Sequence, residues 1–163
     1  MWKPRPGRLR GFSYIGIYRY FLTLCTETRR PAFGDASVVA MVRSQFLRSA
    51  MVTGFQITAY CYMPDHLHLL AEGRTKSADL RRFVRDAKQR SGYAYAKRVG
   101  VRLWQDGYYD QVLRGDDAWL SIVRYILENP VRAGLAAQVR DYPFSGSEVY
   151  SVGDLVAAWE SQG

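Results

Sequence analysis

Alternating apolar and polar residues predict four strands along the chain. The clearest is 55–63, where every second residue is apolar and falls on one face: Phe55, Ile57, Ala59, Cys61 and Met63. Three further segments, at 16–26, 66–72 and 103–114, combine aromatic, β-branched and polar residues in the manner of strands. The turn signal Pro64-Asp65 predicts a hairpin between the second and third strands, and Asp106-Gly107 interrupts the fourth.

Apolar residues at helical spacing predict three main helices between these strands. Asp35 caps the first, which extends to about residue 49, and Ser77 caps the second, which extends to about residue 98. The third starts at residue 116 or 117 and ends near Asn129, because Pro130 disfavours helical backbone in the residue before it. The order β-α-β-β-α-β-α predicts an α+β, ferredoxin-like fold, in which a four-stranded antiparallel sheet carries its helices on one face.

The length of 163 residues favours one domain. We divide the chain into a basic N-terminal arm at 1–15, a main domain at 16–137 and a C-terminal tail at 138–163, in which 155–159 is apolar. No apolar run approaches the ~20 residues that span a membrane, and the N-terminus lacks the apolar core of a signal peptide. Cys25 and Cys61 lie in apolar, strand-like runs, so we expect buried free thiols and a reducing, cytoplasmic setting.

The charge balance points to a polyanionic partner. The chain has 23 Lys and Arg residues against 15 Asp and Glu, a formal net charge of +8, and 14% of its residues are aromatic. This balance favours nucleic acid first and an anionic membrane second. A basic surface that is merely solvated is the alternative. The predicted second helix carries basic residues that could follow a phosphate backbone: Arg81, Arg82, Arg85, Lys88 and Arg90.

The two histidines of the chain stand two residues apart. Period-two spacing places His66 and His68 on one face of the third strand, roughly 6–7 Å apart at Cα. Two imidazoles at this separation suit a shared divalent ion, which then needs further ligands from protein, water or substrate phosphate. A pair of merely hydrogen-bonded histidines is the alternative for this motif taken alone.

The predicted third helix adds a second candidate group. At about 100° per residue, its core stripe comprises Trp119, Ile122, Val123 and Ile126. Tyr125 and Asn129 fall one turn apart on the border of that stripe, where a side chain can reach a cleft between helix and sheet. A tyrosine can act as a covalent nucleophile, and an amide oxygen can complete a Mg²⁺ shell. The alternative for Tyr125 is a half-buried tyrosine with a satisfied hydroxyl, and the alternative for Asn129 is a helix cap before proline.

Two segments in this order resemble the single-tyrosine HUH transposases. Residues 62–70, Tyr-Met-Pro-Asp-His-Leu-His-Leu-Leu, resemble their His-hydrophobic-His signature. Residues 125–135, Tyr-Ile-Leu-Glu-Asn-Pro-Val-Arg-Ala-Gly-Leu, resemble their tyrosine-helix motif in the form found in the REP-associated tyrosine transposase branch. Trp-Gln-Asp-Gly-Tyr-Tyr-Asp at 104–110 and Tyr-Pro-Phe-Ser at 142–145 are similar to the same branch. The resemblance covers roughly residues 18–147.

The resemblance implies a ferredoxin-like fold and a metal-dependent tyrosine DNA transesterase. Such an enzyme cleaves and rejoins single-stranded, hairpin-forming repeats through a 5′-phosphotyrosine intermediate. Tyr125, on the last main helix, takes the position of the nucleophile. His66 and His68 take the positions of ligands to Mg²⁺ or Mn²⁺, and Asn129 takes that of the third ligand, where many relatives have glutamine. With one tyrosine in the motif, a paired-tyrosine relaxase mechanism is not favoured.

The expected partner is single-stranded or hairpin DNA, contacted by the basic helix and by Arg132. We expect a monomer or homodimer in the bacterial cytoplasm, associated with the nucleoid when bound to DNA, with neither a membrane nor a nucleotide cofactor as partner. Two other functions remain open. One is a catalytically silent module that binds hairpin DNA or RNA on its aromatic-bearing sheet. The other is a metal-dependent hydrolase that uses water and needs no tyrosine.

Overall fold

The computed structural model describes residues 9–163 and places an antiparallel sheet at the centre of the molecule. Its strands are β1 Arg19–Cys25, β2 Phe55–Met63, β3 His66–Gly73, β4 Tyr109–Leu113 and β5 Ser145–Gly146. Their order across the sheet is β4-β1-β3-β2-β5, with every neighbouring pair antiparallel. The predicted α+β class and antiparallel sheet are confirmed. The sheet has five strands rather than four, because the two-residue β5 adds to the edge of β2.

The described part of the chain forms four α-helices, which cover both faces of the sheet. They are α1 Ala36–Thr53, α2 Leu80–Val99, α3 Asp116–Arg132 and α4 Val152–Glu160. α1 and α2 share one core with Leu22 of β1, whereas α3 and α4 share a second core with Phe21 of β1 and Leu70 of β3. The expectation that the helices lie on one face is therefore wrong. Successive strand residues point to opposite faces, and since both faces of β1 are apolar, each needs a helical layer.

β2 inverts its alternation at a β-bulge. Its register against β3 shifts between Ile57 and Ala59. Phe55 and Ile57 consequently belong to the core under α1 and α2, whereas Ala59, Cys61 and Met63 belong to the core under α3 and α4. The prediction that all five share a face is wrong, because one extra residue in a strand turns every later side chain to the other face.

Three element boundaries test the predicted caps and breaks. Asp35 caps α1 as expected, accepting a hydrogen bond from the first helical turn. At α2 the cap is Asp79 rather than Ser77, because the Asp79 carboxylate accepts from two backbone N–H groups of the first turn. The break predicted in the fourth strand is complete: Trp104 forms only an isolated bridge, with Thr26, and β4 starts five residues later.

α3 continues through Pro130 to Arg132, one turn beyond its predicted end. Proline removes one helical hydrogen bond and restricts the preceding residue. Here Pro130 is buried, and Arg132 makes side-chain contacts with Glu128 and Tyr125 that favour the extra turn. The added turn brings Arg132 back over the helix face that carries Tyr125.

Residues near both ends of the described range, 9–163, pack against the sheet. In the C-terminal tail, the Tyr142 hydroxyl donates to the carbonyl of Tyr62, and α4 buries Leu155 and Trp159 in the second core. Of the predicted N-terminal arm, residues 1–8 lie outside the described residues, whereas Tyr14 is completely buried in the first core. Within residues 9–163, no helix is long and apolar enough to cross a membrane.

Candidate active site

A cleft of about 490 Å³ opens between α3 and the sheet, beside the C-terminal end of β1 and the start of β3. It is lined by Thr23, Arg29, His66, His68, Tyr125, Asn129, Arg132 and Ala133. The two histidines, the tyrosine and the asparagine singled out by spacing therefore line one cleft, although about 60 residues separate the histidines from the tyrosine in the sequence. The imidazole centroids lie 4.7 Å apart, and the Tyr125 ring lies 5.9 Å from that of His68.

Each histidine is held through its Nδ1 atom. His66 Nδ1 lies 2.8 Å from Asp65 Oδ1, the residue directly before it. His68 Nδ1 lies 2.9 Å from the hydroxyl of Thr23, its cross-strand partner in the β1–β3 register. A partner on one ring nitrogen fixes the ring orientation and leaves the other nitrogen as the available donor atom. The Asp65 carboxylate also fixes the tautomer of His66, because it can only accept the Nδ1 proton. Both Nε2 atoms are therefore the ones able to bind a ligand.

Burial keeps both imidazoles neutral. It lowers the pKa of His66, against the opposing effect of the Asp65 carboxylate. Burial also lowers the pKa of His68 to about 3, assisted by His66 and by the guanidinium charges of Arg132 and Arg29. Neutral imidazole is the form that coordinates metals. The site is therefore prepared for coordination at neutral pH without first losing a proton.

The donor set fits a divalent ion that retains open positions. Two neutral imidazole nitrogens and the side-chain oxygen of Asn129 share the cleft. Within residues 9–163 there is no group of three His, Cys, Asp or Glu side chains that could enclose an ion. An ion here would complete its shell with water or with the oxygens of a bound phosphate, as Mg²⁺ commonly does.

Tyr125 is half-buried on α3 and fixed from two sides. Its ring meets Phe21 of β1 edge-on, at 6.0 Å between centroids. The guanidinium of Arg132 lies over the Tyr125 ring, with Cζ 4.4 Å from the ring centroid. The helix is anchored by the predicted Val123 and Ile126, together with Leu120 and Leu127, whereas Trp119 and Ile122 are only partly buried. The stripe is thus rotated slightly from the predicted one, and Tyr125 remains at its border.

The predicted basic residues divide into two groups. Arg132 lines the cleft, but none of the five on α2 does, because α2 packs on the opposite face of the sheet. Arg82 and Arg85 pair with Asp86, at 3.6 and 3.1 Å. Lys88 donates to the carbonyl oxygens of residues 105 and 107. Arg81 lies over the ring of Tyr14, and Arg90 is exposed.

Sequence reasoning missed two residues that line the cleft, Thr23 and Arg29, and one that holds lining residues in place, Asp65. Asp65 looks like an ordinary turn residue, although its position before His66 is a usable signal. Thr23 becomes visible only once β1 is paired with β3 in the observed register. Arg29 lies in the connection after β1, and nothing in its local sequence links it to the histidines. Its Nε reaches Asp65 Oδ2 at 2.9 Å.

Comparison with known proteins gives the family. Residues 16–129 match the family described as Transposase IS200 like. The chain belongs to this family. The REP-associated tyrosine transposase of Escherichia coli K12, a similar relative, is 28% identical over 138 residues, which cover 81% of this chain and 78% of the relative. These matches confirm the resemblance seen in the two motifs.

Two solved structures share the fold. A REP-associated tyrosine transposase bound to a REP hairpin superposes with a TM-score of 0.73 and 26% identity, over 86% of this chain and 82% of that one. A structure from Deinococcus radiodurans has a TM-score of 0.52 and 23% identity, over 75% of this chain and 97% of that one, and it supports the fold alone.

Proposed function

We propose that this chain is a single-stranded DNA endonuclease and strand transferase that acts on hairpin-forming repeats through Tyr125. The observation that carries the proposal is the shared cleft: one tyrosine faces two neutral histidines whose Nδ1 atoms are already occupied. A half-buried structural tyrosine has no need of such neighbours. The family match and the hairpin-bound structural relative support DNA as the substrate class.

The chemistry requires a nucleophile, a held phosphate and a departing hydroxyl. The Tyr125 Oη forms a bond to phosphorus while the bond from phosphorus to the 3′ oxygen breaks. The phenol loses its proton, the departing 3′ oxygen gains one, and the 5′ phosphate stays on the tyrosine. Attack by a second 3′ hydroxyl reverses these steps and joins strands, because the phosphodiester energy is kept in the tyrosine ester.

His66, His68 and Asn129 would hold the divalent cation of this reaction, Mg²⁺ or Mn²⁺. When bound, the cation would supply charge stabilisation at the phosphate oxygens. Thr23 and Asp65 hold the two imidazoles through their Nδ1 atoms, so that the Nε2 atoms would be the ones to bind the cation, and Phe21 with Arg132 keeps the Tyr125 ring in one orientation. Arg132 also contributes positive charge where the scissile phosphate would lie.

The test is covalent capture on a denaturing gel. Labelled hairpin oligonucleotides with single-stranded flanks of randomised sequence are incubated with the protein in Mg²⁺, in Mn²⁺ or in EDTA. We expect a metal-dependent protein–DNA adduct that Tyr125→Phe abolishes. Tyr93→Phe is the matched control, since Tyr93 is 72% exposed on α2 and lies outside the cleft.

Two results would overturn the proposal in different directions. Cleavage that survives Tyr125→Phe makes water the nucleophile and the protein a metal-dependent hydrolase. If the protein binds hairpins tightly but cleaves no hairpin of the pool, it is a catalytically silent binding module.

A further inference from the structure

The connection after β1 holds Arg29 at the cleft in an unusual backbone conformation. Thr28 and Arg29 have φ values of 54° and 55°, in the left-handed region that residues other than glycine rarely adopt. The segment is fixed by Thr26, which is completely buried and whose N–H and hydroxyl each lie 3.0 Å from the Asp65 carbonyl oxygen. Strained backbone of this kind persists only where its surroundings determine it, and it clusters at functional sites.

The Arg29 guanidinium is oriented but not saturated by its protein contacts. Its Nε donates to Asp65 Oδ2 at 2.9 Å, and its Nη1 donates to the Cys25 sulfur at 3.0 Å. The other carboxylate oxygen of Asp65 holds His66, so one aspartate fixes both the guanidinium and an imidazole. The remaining N–H donors of the guanidinium are left for a ligand. The side chain is 51% exposed and lines the cleft.

Two guanidinium groups face the cleft. Arg29 and Arg132 are both among its lining residues, whereas the carboxylates paired with them, Asp65 and Glu128, are not. The two guanidiniums come from different elements, one after β1 and the other at the end of α3. Arginine binds phosphate oxygens in a bidentate manner and keeps its proton at any pH of interest.

We propose that Arg29 is a further catalytic residue, whose free N–H groups bind a non-bridging oxygen of the phosphodiester that Tyr125 attacks. The inference rests on the proposed function. Negative charge grows on the non-bridging oxygens as phosphorus becomes five-coordinate. A preoriented cation therefore stabilises the transition state more than it stabilises the ground state. No proton moves at Arg29, so the bonds that form and break are those of the tyrosine transfer alone.

The test compares charged and neutral phosphates at the cleavage position. The position is first mapped from the adduct that the wild-type protein forms with the hairpin pool. Matched hairpins then carry either the natural phosphodiester or one of the two methylphosphonate diastereomers at that linkage. Each is assayed with wild type, Arg29→Gln, Arg29→Lys and the control Arg30→Gln, whose side chain lies outside the cleft lining.

We expect Arg29→Gln to lower the rate of adduct formation on the phosphodiester by about 10²-fold, with Arg29→Lys in between and Arg30→Gln near wild type. On the diastereomer that lacks the oxygen bound by Arg29, wild type and Arg29→Gln should react at similar rates. A deficit of Arg29→Gln that is equal on the phosphodiester and on both diastereomers would make Arg29 a structural partner of Asp65 and overturn the inference. So would wild-type rates for Arg29→Gln on the phosphodiester.

Failure of the proposed function is distinguishable from these results. If the wild-type protein forms no adduct with any hairpin in either metal, both the proposed function and the role of Arg29 fall. If wild type forms the adduct and Arg29→Gln matches it, only the role of Arg29 falls.

Discussion

The guanidinium of Arg132 lies over the ring of Tyr125, with Cζ 4.4 Å from the ring centroid, and its Nη2 donates a 2.6 Å hydrogen bond to the Tyr125 carbonyl oxygen. The contact exists because α3 continues past Pro130, which brings a residue two turns later back over the tyrosine. Arg132 also lies 3.7 Å from Glu128. A residue held at three points can restrict the candidate nucleophile to one orientation.

Removing this contact should slow the transfer step. We expect Arg132→Ala to lower the rate of adduct formation by at least about 10-fold, because a ring that is free to leave its orientation places Oη in line with phosphorus less often. Arg124→Ala is the matched control, since Arg124 pairs with the same Glu128 at 3.0 Å, whereas the cation over the Tyr125 ring is that of Arg132. If both variants lose the same fraction of the adduct-formation rate, the loss comes from the ion pairs with Glu128 on the helix and not from the contact with Tyr125.

The Thr23–His68 hydrogen bond should govern metal affinity. Thr23→Val keeps the side-chain shape and removes the hydroxyl that fixes His68 Nδ1. We expect Mn²⁺ binding, measured by calorimetry without DNA, to weaken by about 10- to 100-fold. Thr58→Val is the control, because it removes another buried hydroxyl, which bonds the Leu70 carbonyl instead of a histidine. A similar loss of Mn²⁺ affinity in both variants would contradict the orienting role of Thr23.

Local sequence patterns predicted the strands and the candidate site residues better than they predicted which face of the sheet each helix covers. β2 has the predicted bounds, and His66, His68, Tyr125 and Asn129 line one cleft, because residue spacing within an element determines which side chains share a face. No local sequence signal marks the bulge after Ile57, so the second apolar core, under α3 and α4, was not predicted. Thr23 was equally out of reach, since its contact with His68 depends on strand register, and Arg29 was missed because its place depends on the path of the connection after β1.

The buried His68 should make apo-protein stability depend on pH. The folded pKa is lowered to about 3, below the ordinary value of 6.5, so the unfolded chain binds the proton more readily. Stability is therefore fully present above pH 6.5 and falls as the pH drops towards 3. Below pH 6 we expect a slope near 1.4 kcal/mol per pH unit from this residue. His66, whose pKa is also lowered, adds a loss of the same sign.

Urea unfolding in EDTA between pH 5 and pH 7.5 measures this slope, in a range where carboxylates contribute little. His68→Gln removes the titrating group, so its unfolding free energy should fall less steeply with decreasing pH than that of the wild type. Identical slopes in the two proteins would mean that His68 titrates near its ordinary pKa in the folded state.

The left-handed backbone at Thr28 should cost stability. A β-branched residue at a φ of 54° is strained, and glycine adopts this region freely. We expect Thr28→Gly to raise the free energy of unfolding by about 1 kcal/mol. Ser44→Gly, at an exposed position within α1, should lower it by about 0.5–1 kcal/mol. Destabilisation by Thr28→Gly would show that the turn is not strained.

The basic face of α2 should affect DNA affinity without affecting chemistry. Arg85 and Arg90 are exposed on the side of the sheet away from the cleft, where they could contact the phosphates of a hairpin stem. Each substitution to alanine should weaken hairpin binding and reduce the magnitude of the slope of log affinity against log salt concentration by about 1, because one fewer counterion is released. The rate of adduct formation at saturating DNA should stay unchanged. Arg48→Ala, on α1, serves as the charge-matched control. If Arg48→Ala changes the salt slope as much as the α2 variants do, general surface charge attracts the DNA and α2 has no special part in binding it.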